Sequence, residues 1–294
     1  MDEIELRAHG KINLSLDVLG RRNDGYHEVK MIMHTVALHD GIFIKKERER
    51  GIRMECNLPS LPTNEENLMV RATKAIMEEF SIEEGLSLRL MKRLPVAAGM
   101  AGGSADAAAV FHGINQLFHL NLSTEELEKR AVKLGADIPF CLHKGCYLSE
   151  GIGEKLKKLP TLPPCTIILV KPTFSLSTKL IYENLHLEYL TDKEHPEVDE
   201  MIEKLESRNL EEICKLGGNL LEKVSISLRP EIQVLKDFFI KEGALLSLMS
   251  GSGPTVFGIF PEEEKEKAEM ILQSLRSGEH KDLIENAWIT EAYA

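Results

Sequence analysis

The sequence predicts an α+β fold in two domains. Segments with the alternating apolar pattern of strands and segments with the wider apolar spacing of helices are interspersed throughout the 294 residues. A proline-rich stretch at residues 159–164, Leu-Pro-Thr-Leu-Pro-Pro, interrupts both patterns and has the composition of a linker. We therefore place the domains at residues 1–160 and 161–294, each long enough to bury a core of its own.

Strand patterns dominate the first domain. In residues 11–18 apolar and polar side chains alternate strictly, which predicts a half-buried strand with Lys11 and Asn13 on the same face. Further strands are predicted at residues 29–38, 42–46 and 86–90. Helical spacing predicts helices at residues 67–80, at residues 105–120, and from a capping box of Ser123 and Glu126 to Gly135.

The second domain combines strands and helices in a recognisable order. A strand is predicted at residues 166–170, followed by several helices between residues 177 and 242. Strands at residues 244–249 and 255–260, a helix and a last strand near Trp288 follow. Without the extra helices this order is β-α-β-β-α-β, the split βαβ arrangement.

The composition favours a cytoplasmic protein that acts on a small molecule. Lys and Arg total 36 against 47 for Asp and Glu, and a chain of net charge −11 repels the backbone of nucleic acids. The N-terminus lacks the regions of a signal peptide, and no apolar run approaches the ~20 residues of a membrane helix. The five cysteines form no C-x-x-C pair and the histidines show no ligand spacing, so we expect reduced thiols and no protein-held metal.

The most informative stretch is residues 95–108, Pro-Val-Ala-Ala-Gly-Met-Ala-Gly-Gly-Ser-Ala-Asp-Ala-Ala. Glycines let a backbone approach a ligand, and a helix that begins there directs its free N–H groups at an anion. Ser104 is a candidate N-cap of that helix. The pattern favours phosphate binding, although an ordinary strand-to-helix turn also explains it. The candidate phosphate-binding residues are Pro95, Val96, Ala97, Ala98, Gly99, Met100, Ala101, Gly102, Gly103, Ser104 and Ala105.

Three motifs resemble those of the GHMP kinases, named for galactose, homoserine, mevalonate and phosphomevalonate. Residues 95–108 are similar to the central motif, residues 10–14 (Gly-Lys-Ile-Asn-Leu) to the first, and residues 250–257 (Ser-Gly-Ser-Gly-Pro-Thr-Val-Phe) to the third. The resemblance implies an ATP-dependent small-molecule kinase with Mg²⁺ carried by ATP. It also implies a ribosomal-protein-S5-like ATP-binding and catalytic domain, followed by a ferredoxin-like domain on the substrate side.

Other segments resemble one branch of that superfamily, the 4-diphosphocytidyl-2-C-methyl-D-erythritol kinases. These segments are residues 22–28 (Arg-Asn-Asp-Gly-Tyr-His-Glu), 135–140 (Gly-Ala-Asp-Ile-Pro-Phe) and 171–182. The resemblance implies phosphorylation of the 2-hydroxyl of the cytidylated sugar alcohol in the non-mevalonate isoprenoid pathway, by a monomer or weak homodimer. The chain departs from the family where Met100 replaces a common leucine and Ala105 a common serine.

The resemblance also assigns roles to individual residues. Asp137 is expected to be the catalytic base and Lys11 its partner, since phosphoryl transfer needs a proton acceptor and cations near the phosphoryl oxygens. A cap or turn aspartate and an exposed strand lysine are the structural alternatives. Ser104 is expected to contact Mg²⁺ or phosphate unless it only caps the helix, and Asp106 to position the loop.

The remaining site residues are expected to bind the substrate. Tyr26 and Tyr182 are expected to stack on the two faces of cytosine, and His27 to contact the edge of the base. The other expected substrate-binding residues are Asn13, Thr178, Gly251, Ser252 and Gly253. Two rival functions are a homoserine or mevalonate-type kinase and a non-catalytic sensor with the same fold. Absence of the Tyr26–His27 signature would favour the first, and loss of Lys11 or Asp137 the second, but all four residues are present.

Overall fold

The structure is a computed structural model that describes residues 2–294. Its strands are β1 (Glu3–Arg21), β2 (His27–Glu47), β3 (Ile52–Cys56), β4 (Gly85–Met91), β5 (Cys146–Gly151), β6 (Lys155–Leu159), β7 (Cys165–Pro172), β8 (Gly218–Asn219), β9 (Leu246–Met249), β10 (Val256–Pro261) and β11 (Ile284–Glu291). Its α-helices are α1 (Leu68–Glu79), α2 (Gly102–Leu117), α3 (Thr124–Ala131), α4 (Ile138–Cys141), α5 (Thr178–Glu183), α6 (Val198–Ser207), α7 (Leu210–Lys215), α8 (Glu222–Leu228), α9 (Glu231–Lys241) and α10 (Lys265–Ser277). Short 3₁₀ turns occur between several of these elements.

The chain forms two compact units that are discontinuous in sequence. Unit 1 contains the residues up to Gly10, Leu38–Val96 and Ala101–His143, and unit 2 contains Lys11–Ala37, Ala97–Met100 and Lys144–Ala294. The prediction divides the chain between residues 160 and 161 and assigns ATP binding to the first part and the substrate side to the second. It stays a prediction about function.

Unit 1 is a small sheet covered by helices. Strand β4 pairs antiparallel with Gly41–Glu47 of β2 and parallel with β3. Helix α2 packs against α1 and α4, and its small buried residues Ala107 and Ala108 let it approach its neighbours closely. Phe111 of the same helix is fully buried in the apolar core of this unit.

Unit 2 contains the predicted split βαβ arrangement. Strands β7, β9, β10 and β11 form an antiparallel sheet in the order β11-β7-β10-β9. Helix α9 packs on β9 and β10, and α10 packs on β7, β10 and β11. The order β7-α9-β9-β10-α10-β11 confirms the ferredoxin-like prediction. Elsewhere in this unit β5 pairs with Val29–His34 of β2, and β8 runs parallel to β1 at Ser15 and Leu16.

The prediction of two strands at residues 29–38 and 42–46 is wrong, because β2 is continuous from His27 to Glu47. The intervening residues, His39-Asp40-Gly41, include two types that are common in turns. Asp40 is instead fully buried within the strand, where its Oδ1 atom accepts hydrogen bonds from the backbone N–H groups of Arg93 and Leu94. A polar residue that would favour a turn is thereby satisfied inside a strand. Strands β3, β5, β6 and β8 were not predicted.

The prediction that residues 11–18 are half-buried is also wrong. The apolar face of β1 is buried as expected, but Lys11 is only 4 % exposed and Asn13 is fully buried on the opposite face. A lysine and an asparagine are rarely buried without partners. The burial of this polar face is therefore the first structural sign of a functional site.

Helix boundaries differ from the prediction at two places. Helix α2 begins at Gly102, three residues before the predicted start, and α3 ends at Ala131 rather than at Gly135. The predicted capping box of Ser123 and Glu126 is present. None of the helices in residues 2–294 combines the length and the apolar composition that crossing a bilayer requires.

Candidate active site

The glycine-rich segment, which we call the first glycine loop (residues 95–105), ends in the N-terminus of α2. Ala101 adopts a left-handed conformation, with φ 54°, and occupies the N-cap position without a side-chain cap bond. The first backbone N–H that bonds back into the helix is that of Ala105, to the carbonyl of Ala101 at 2.8 Å. The N–H groups of Gly102, Gly103 and Ser104 consequently have no partner within the helix, as in an anion-binding helix end.

The glycines of this loop serve different purposes. A Cβ on Gly99 would lie 2.0 Å from the carbonyl oxygen of Ser250, so Gly99 permits the contact with that backbone. A Cβ on Gly102 would lie 3.0 Å from the Nζ atom of Lys92. A Cβ on Gly103 would meet only Leu68, at 3.7 Å. Gly103 is exposed, and it is the glycine whose open side is available to a ligand.

Lys92 lies at the centre of a buried cluster of charges in unit 1. Its ammonium group contacts Asp40 Oδ2 at 2.6 Å and Asp106 Oδ2 at 2.7 Å. Burial lowers the pKa of Lys92, but the carboxylates of Asp106 and Asp40 outweigh it and raise that pKa overall. Burial raises the pKa of Asp106, with Lys92 acting in the opposite direction. The cluster connects β2, the segment before the loop and α2, which supports the prediction that Asp106 positions the loop.

The interpretation of Ser104 as an N-cap is wrong. Ser104 lies inside the first turn of α2 and is partly exposed, while Ala101 takes the cap position. Ala105 is only 2 % exposed, so the methyl group that replaces the common serine packs in the core. The buried candidates of the loop are Pro95, Ala98, Met100 and Ala105, and the exposed ones are Val96, Ala97 and Gly103.

Unit 2 brings Lys11 and Asn13 together with the second glycine loop (residues 250–253). The Nζ atom of Lys11 donates to Asn13 Oδ1 at 2.6 Å. Gly251 has φ +56°, and a Cβ on it would lie 3.1 Å from Lys11 Nζ and 3.5 Å from Asn13 Oδ1. A Cβ at position 251 would therefore crowd the buried ammonium group and would require a strained backbone conformation. Gly253 is also required by the turn, because a Cβ there would lie 2.3 Å from the sulfur of Met249.

The same unit connects the second glycine loop to the predicted cytosine-binding residues. The hydroxyls of Ser252 and Thr178 are 2.7 Å apart. Thr178 and Tyr182 are four residues apart on α5 and so project from the same side of that helix. The ring of Tyr182 lies against the ring of His27, with centroids 5.0 Å apart. Tyr26 is 59 % exposed.

The turn that carries Tyr26 and His27 is held by its own polar residues. Asp24 accepts a hydrogen bond from the Tyr26 N–H at 3.1 Å and forms a salt bridge with Arg22. Gly25, with φ +88°, closes the turn through its N–H, which donates to the Arg22 carbonyl at 3.1 Å. Burial, together with the charge of Arg21, lowers the pKa of His27, so its ring is neutral near pH 7.

Comparison with known proteins assigns the chain to a family. Residues 67–145 match the GHMP kinases N terminal domain and residues 201–278 the GHMP kinases C terminal family. A 4-diphosphocytidyl-2-C-methyl-D-erythritol kinase of Lachnoclostridium phytofermentans is 50% identical over 264 residues, which cover 90% of each chain. The enzyme of that name from Bacillus subtilis is 43% identical, covering 88% of this chain and 89% of the relative. The chain belongs to the 4-diphosphocytidyl-2-C-methyl-D-erythritol kinase family.

Solved structures agree with this membership. A crystal structure of a 4-(cytidine 5'-diphospho)-2C-methyl-D-erythritol kinase superimposes with a TM-score of 0.82 at 30% identity, covering 98% of this chain and 99% of the other. A homoserine kinase from Cytophaga hutchinsonii reaches a TM-score of 0.76 at 20% identity, covering 100% of this chain and 96% of the other, which shows a shared fold. The predicted GHMP fold and the predicted branch are both confirmed.

Asp137, the expected base of a kinase in this family, lies in unit 1 and Lys11 in unit 2. Asp137 takes the N-cap position of the short helix α4, but its carboxylate makes no cap hydrogen bond. A structural role as a cap therefore does not account for this residue. The pairing of Asp137 with Lys11 stays a prediction.

Three buried polar residues of unit 2 contact segments that carry candidate site residues and were missed in the sequence. Lys171 is 2 % exposed and its ammonium group donates to the carbonyls of Pro172 and Phe174, each at 2.7 Å, in the segment that leads to α5. Asn219 and Glu222 contact the strand end before the second glycine loop. The available signal was a pair of polar residues three positions apart in the otherwise apolar segment Asn-Leu-Leu-Glu.

The described part of the chain shows no cluster of side chains that could bind a metal ion without ATP. Among residues 2–294, no three His, Cys, Asp or Glu side chains lie close enough together to hold a metal ion. GHMP kinases use ATP as a co-substrate, and the donor atoms that the phosphates of ATP offer are the oxygen ligands that Mg²⁺ prefers.

Proposed function

We propose that this protein transfers the γ-phosphoryl group of ATP to the 2-hydroxyl of 4-diphosphocytidyl-2-C-methyl-D-erythritol, a step of the non-mevalonate isoprenoid pathway. The names of its relatives support this assignment. Within the molecule, the observation that supports the assignment best is a row of contacts in unit 2. It runs from Lys11 through Gly251, Ser252 and Thr178 to Tyr182.

The two ends of this row suit the two ends of the substrate. Lys11 supplies a buried cation for the oxygens of the transferred phosphoryl group. Tyr182 and Tyr26 supply aromatic rings for the cytosine, with His27 able to donate or accept a hydrogen bond at the base edge. Hydroxyl and amide groups between the ends, those of Thr178, Ser252 and Asn13, match the polar sugar and diphosphate.

ATP is assigned to the N-terminus of α2. We propose that the free N–H groups of Gly102, Gly103 and Ser104 donate to its phosphate oxygens, helped by the positive end of the helix dipole. The Ser104 hydroxyl is available for phosphate or for the Mg²⁺ that ATP carries, since it is not used as a cap. ATP holds that Mg²⁺ mainly through its own phosphate oxygens.

The proposed chemistry is an in-line displacement. The 2-hydroxyl oxygen attacks the γ-phosphorus, the bond from the γ-phosphorus to the β–γ bridging oxygen breaks, and ADP leaves. Asp137 accepts the hydroxyl proton as the new bond forms. Lys11 balances the charge that spreads over the phosphoryl oxygens.

The aromatic residues provide the experiment that tests the substrate. In Tyr26→Ala and Tyr182→Ala, kcat/KM for the cytidylated substrate should fall roughly tenfold to a hundredfold, because one stacking face is worth ~1–3 kcal/mol. The KM for ATP should stay unchanged. Tyr189→Ala, which removes a tyrosine that is 78 % exposed, is the control and should leave both parameters unchanged.

Each variant must first show the melting temperature and circular dichroism of a folded protein, because a packed tyrosine also contributes stability. Intact kcat/KM for the cytidylated substrate in both alanine variants would contradict the cytosine assignment. Faster phosphorylation of homoserine or mevalonate by the parent protein would contradict the proposed substrate and leave the kinase assignment standing.

A further inference from the structure

Strand β9 lies at the edge of the C-terminal sheet, where no strand among residues 2–294 pairs with one side of its backbone. Met249, its last residue, directly precedes the second glycine loop. Its carbonyl accepts a hydrogen bond from Asn219 Nδ2 at 2.7 Å, and its N–H donates to Glu222 Oε1 at 2.6 Å. Two side chains thus form hydrogen bonds with the backbone N–H and carbonyl of Met249, as a neighbouring strand would.

Asn219 also reaches the loop itself. Its Nδ2 atom donates a second hydrogen bond, to the carbonyl of Gly251 at 2.8 Å, and its Oδ1 atom accepts one from the Leu221 N–H at 3.0 Å. Both amide hydrogens are therefore used to hold carbonyls on either side of Ser250. Asn219 is only 7 % exposed, so water competes little for these bonds.

The same residue is tied to the strand that carries Lys11. Strand β8 runs parallel to β1, with Asn219 beside Leu16, and the N–H of Leu220 donates to the Leu16 carbonyl at 2.9 Å. Gly251 in turn lies against Lys11, since a Cβ at position 251 would come within 3.1 Å of the ammonium nitrogen. Asn219 thus connects the strand of Lys11 to the loop that covers Lys11.

Glu222 is the second member of this arrangement. It is 8 % exposed, and its other carboxylate oxygen forms a salt bridge with Lys236 of α9. That ion pair holds Oε2, while Oε1 accepts from the Met249 N–H. Burial raises the pKa of Glu222, against the effects of Lys236 and the Met249 N–H.

We propose that Asn219 and Glu222, the edge pair, are positioning residues for phosphoryl transfer, which fix the second glycine loop and thereby the ammonium group of Lys11. This inference rests on the proposed function and deepens it. Neither residue touches the reacting atoms in this proposal. They act through Met249 and Gly251, and a displacement of about 1 Å at a catalytic group costs roughly a hundredfold in rate.

Asn219→Asp is the sharpest variant, because it keeps the shape of the side chain and puts an acceptor oxygen against two carbonyl oxygens. We expect kcat to fall tenfold to a hundredfold while the KM values for ATP and the cytidylated substrate change less than about threefold. Glu222→Ala should act in the same direction. Glu222→Gln retains an acceptor for the Met249 N–H, so its kcat should stay close to that of the parent and well above that of Glu222→Ala.

The control is Ile271→Val, a buried change in α10, which packs on β7, β10 and β11. This variant loses buried packing contacts of α10, outside the edge pair, and it should leave kcat unchanged. Hydrogen–deuterium exchange gives a second readout that needs no substrate. Amides of residues 249–253 should exchange faster in Asn219→Asp than in the parent or in Ile271→Val.

Unchanged kcat in Asn219→Asp would overturn the proposal, as would an equal loss in Ile271→Val or a loss that appears mainly in KM. Turnover of the cytidylated substrate by the parent decides the proposed function separately. If the parent does not turn it over, exchange at residues 249–253 decides for or against the edge pair. Exchange equal to that of the parent would then refute it.

Discussion

At the scale of single residues, burial sets the candidate site residues Lys11 and Asn13 apart more clearly than the sequence pattern does. The alternation in residues 11–18 correctly predicted that Lys11 and Asn13 share a face. It did not predict that this face is buried, because periodicity reports which residues are neighbours and not what covers them. Asn219 and Glu222 were missed for the same reason, since the role that we propose for them depends on contacts with a strand edge distant in the sequence.

Asp137 provides a prediction at this scale. In Asp137→Asn, kcat should fall ~10²–10⁴-fold while both substrates still bind, because the change removes a proton acceptor at nearly constant shape. Steady-state kinetics with isothermal titration of both ligands would measure this. Asp237→Asn, at an exposed position of α9, should retain full activity. A kcat close to that of the parent in Asp137→Asn would show that the carboxylate is not the base.

At the scale of elements, the helices predicted in the first domain form, with boundaries of α2 and α3 shifted by three or four residues, whereas β2 continues through the break that was predicted between two strands. Asn67 caps α1 by accepting from the Met69 N–H at 2.9 Å, and the predicted helix at residues 67–80 is confirmed. Strand β2 continues through a His-Asp-Gly sequence because Lys92, Arg93 and Leu94 satisfy Asp40 from outside the strand. Such partners are invisible to local propensity.

The N-terminus of α2 provides a prediction at this scale. Gly103→Ala places a Cβ in ordinary contact with Leu68, at 3.7 Å, and alanine is the better helix former, so the folded protein should be at least as stable. The KM for ATP should nevertheless rise about tenfold or more, because losing one hydrogen bond to a charged phosphate costs ~1.5–3 kcal/mol. Thermal unfolding and ATP titration would measure both effects.

Gly20→Ala is the matched control, because a Cβ there would have no atom within 4 Å. This variant should leave the KM for ATP unchanged. Unchanged ATP affinity in Gly103→Ala would show that the exposed side of the helix N-terminus does not face the phosphates. The glycine at position 102 is unsuitable for this test, because its Cβ would press on Lys92 rather than on a ligand.

At the scale of the whole molecule, the sequence determined the order of the C-terminal elements and therefore the split βαβ arrangement. The sequence did not reveal that the compact units are discontinuous. They are discontinuous because β1 and β2 each continue from one unit into the other. A linker-like composition at residues 159–164 indicates a break in local structure. It carries no information on which distant segments pack together.

The burial of His34 leads to a prediction about how the stability of the folded protein depends on pH. It is fully buried, its Nε2 atom accepts from the Leu162 N–H at 3.1 Å, and its Nδ1–H donates to the Thr35 carbonyl at 2.8 Å. Burial lowers its pKa from the ordinary 6.5 to about 4. Between these values the unfolded chain binds more protons, so stability is full above pH 6.5 and is lost as the pH falls towards 4.

The expected loss from this residue is ~2 kcal/mol between pH 7.5 and pH 5, at ~1.4 kcal/mol per unit of pKa shift. Urea unfolding at both pH values would measure it. In His34→Gln the difference in the free energy of unfolding between the two pH values should be smaller by that amount, because glutamine does not titrate. An equal pH dependence in parent and variant would show that burial does not lower the pKa of His34.

The most direct measurement of the central claim is the position of the new phosphate. The purified protein, ATP, Mg²⁺ and 4-diphosphocytidyl-2-C-methyl-D-erythritol would be incubated and the product examined by proton-coupled ³¹P NMR. The carbon that bears the 2-hydroxyl also bears the methyl group and has no hydrogen, so a phosphate there gives a monoester signal without three-bond proton splitting. We predict such a singlet with stoichiometric ADP. A split signal, or no product, would contradict the account.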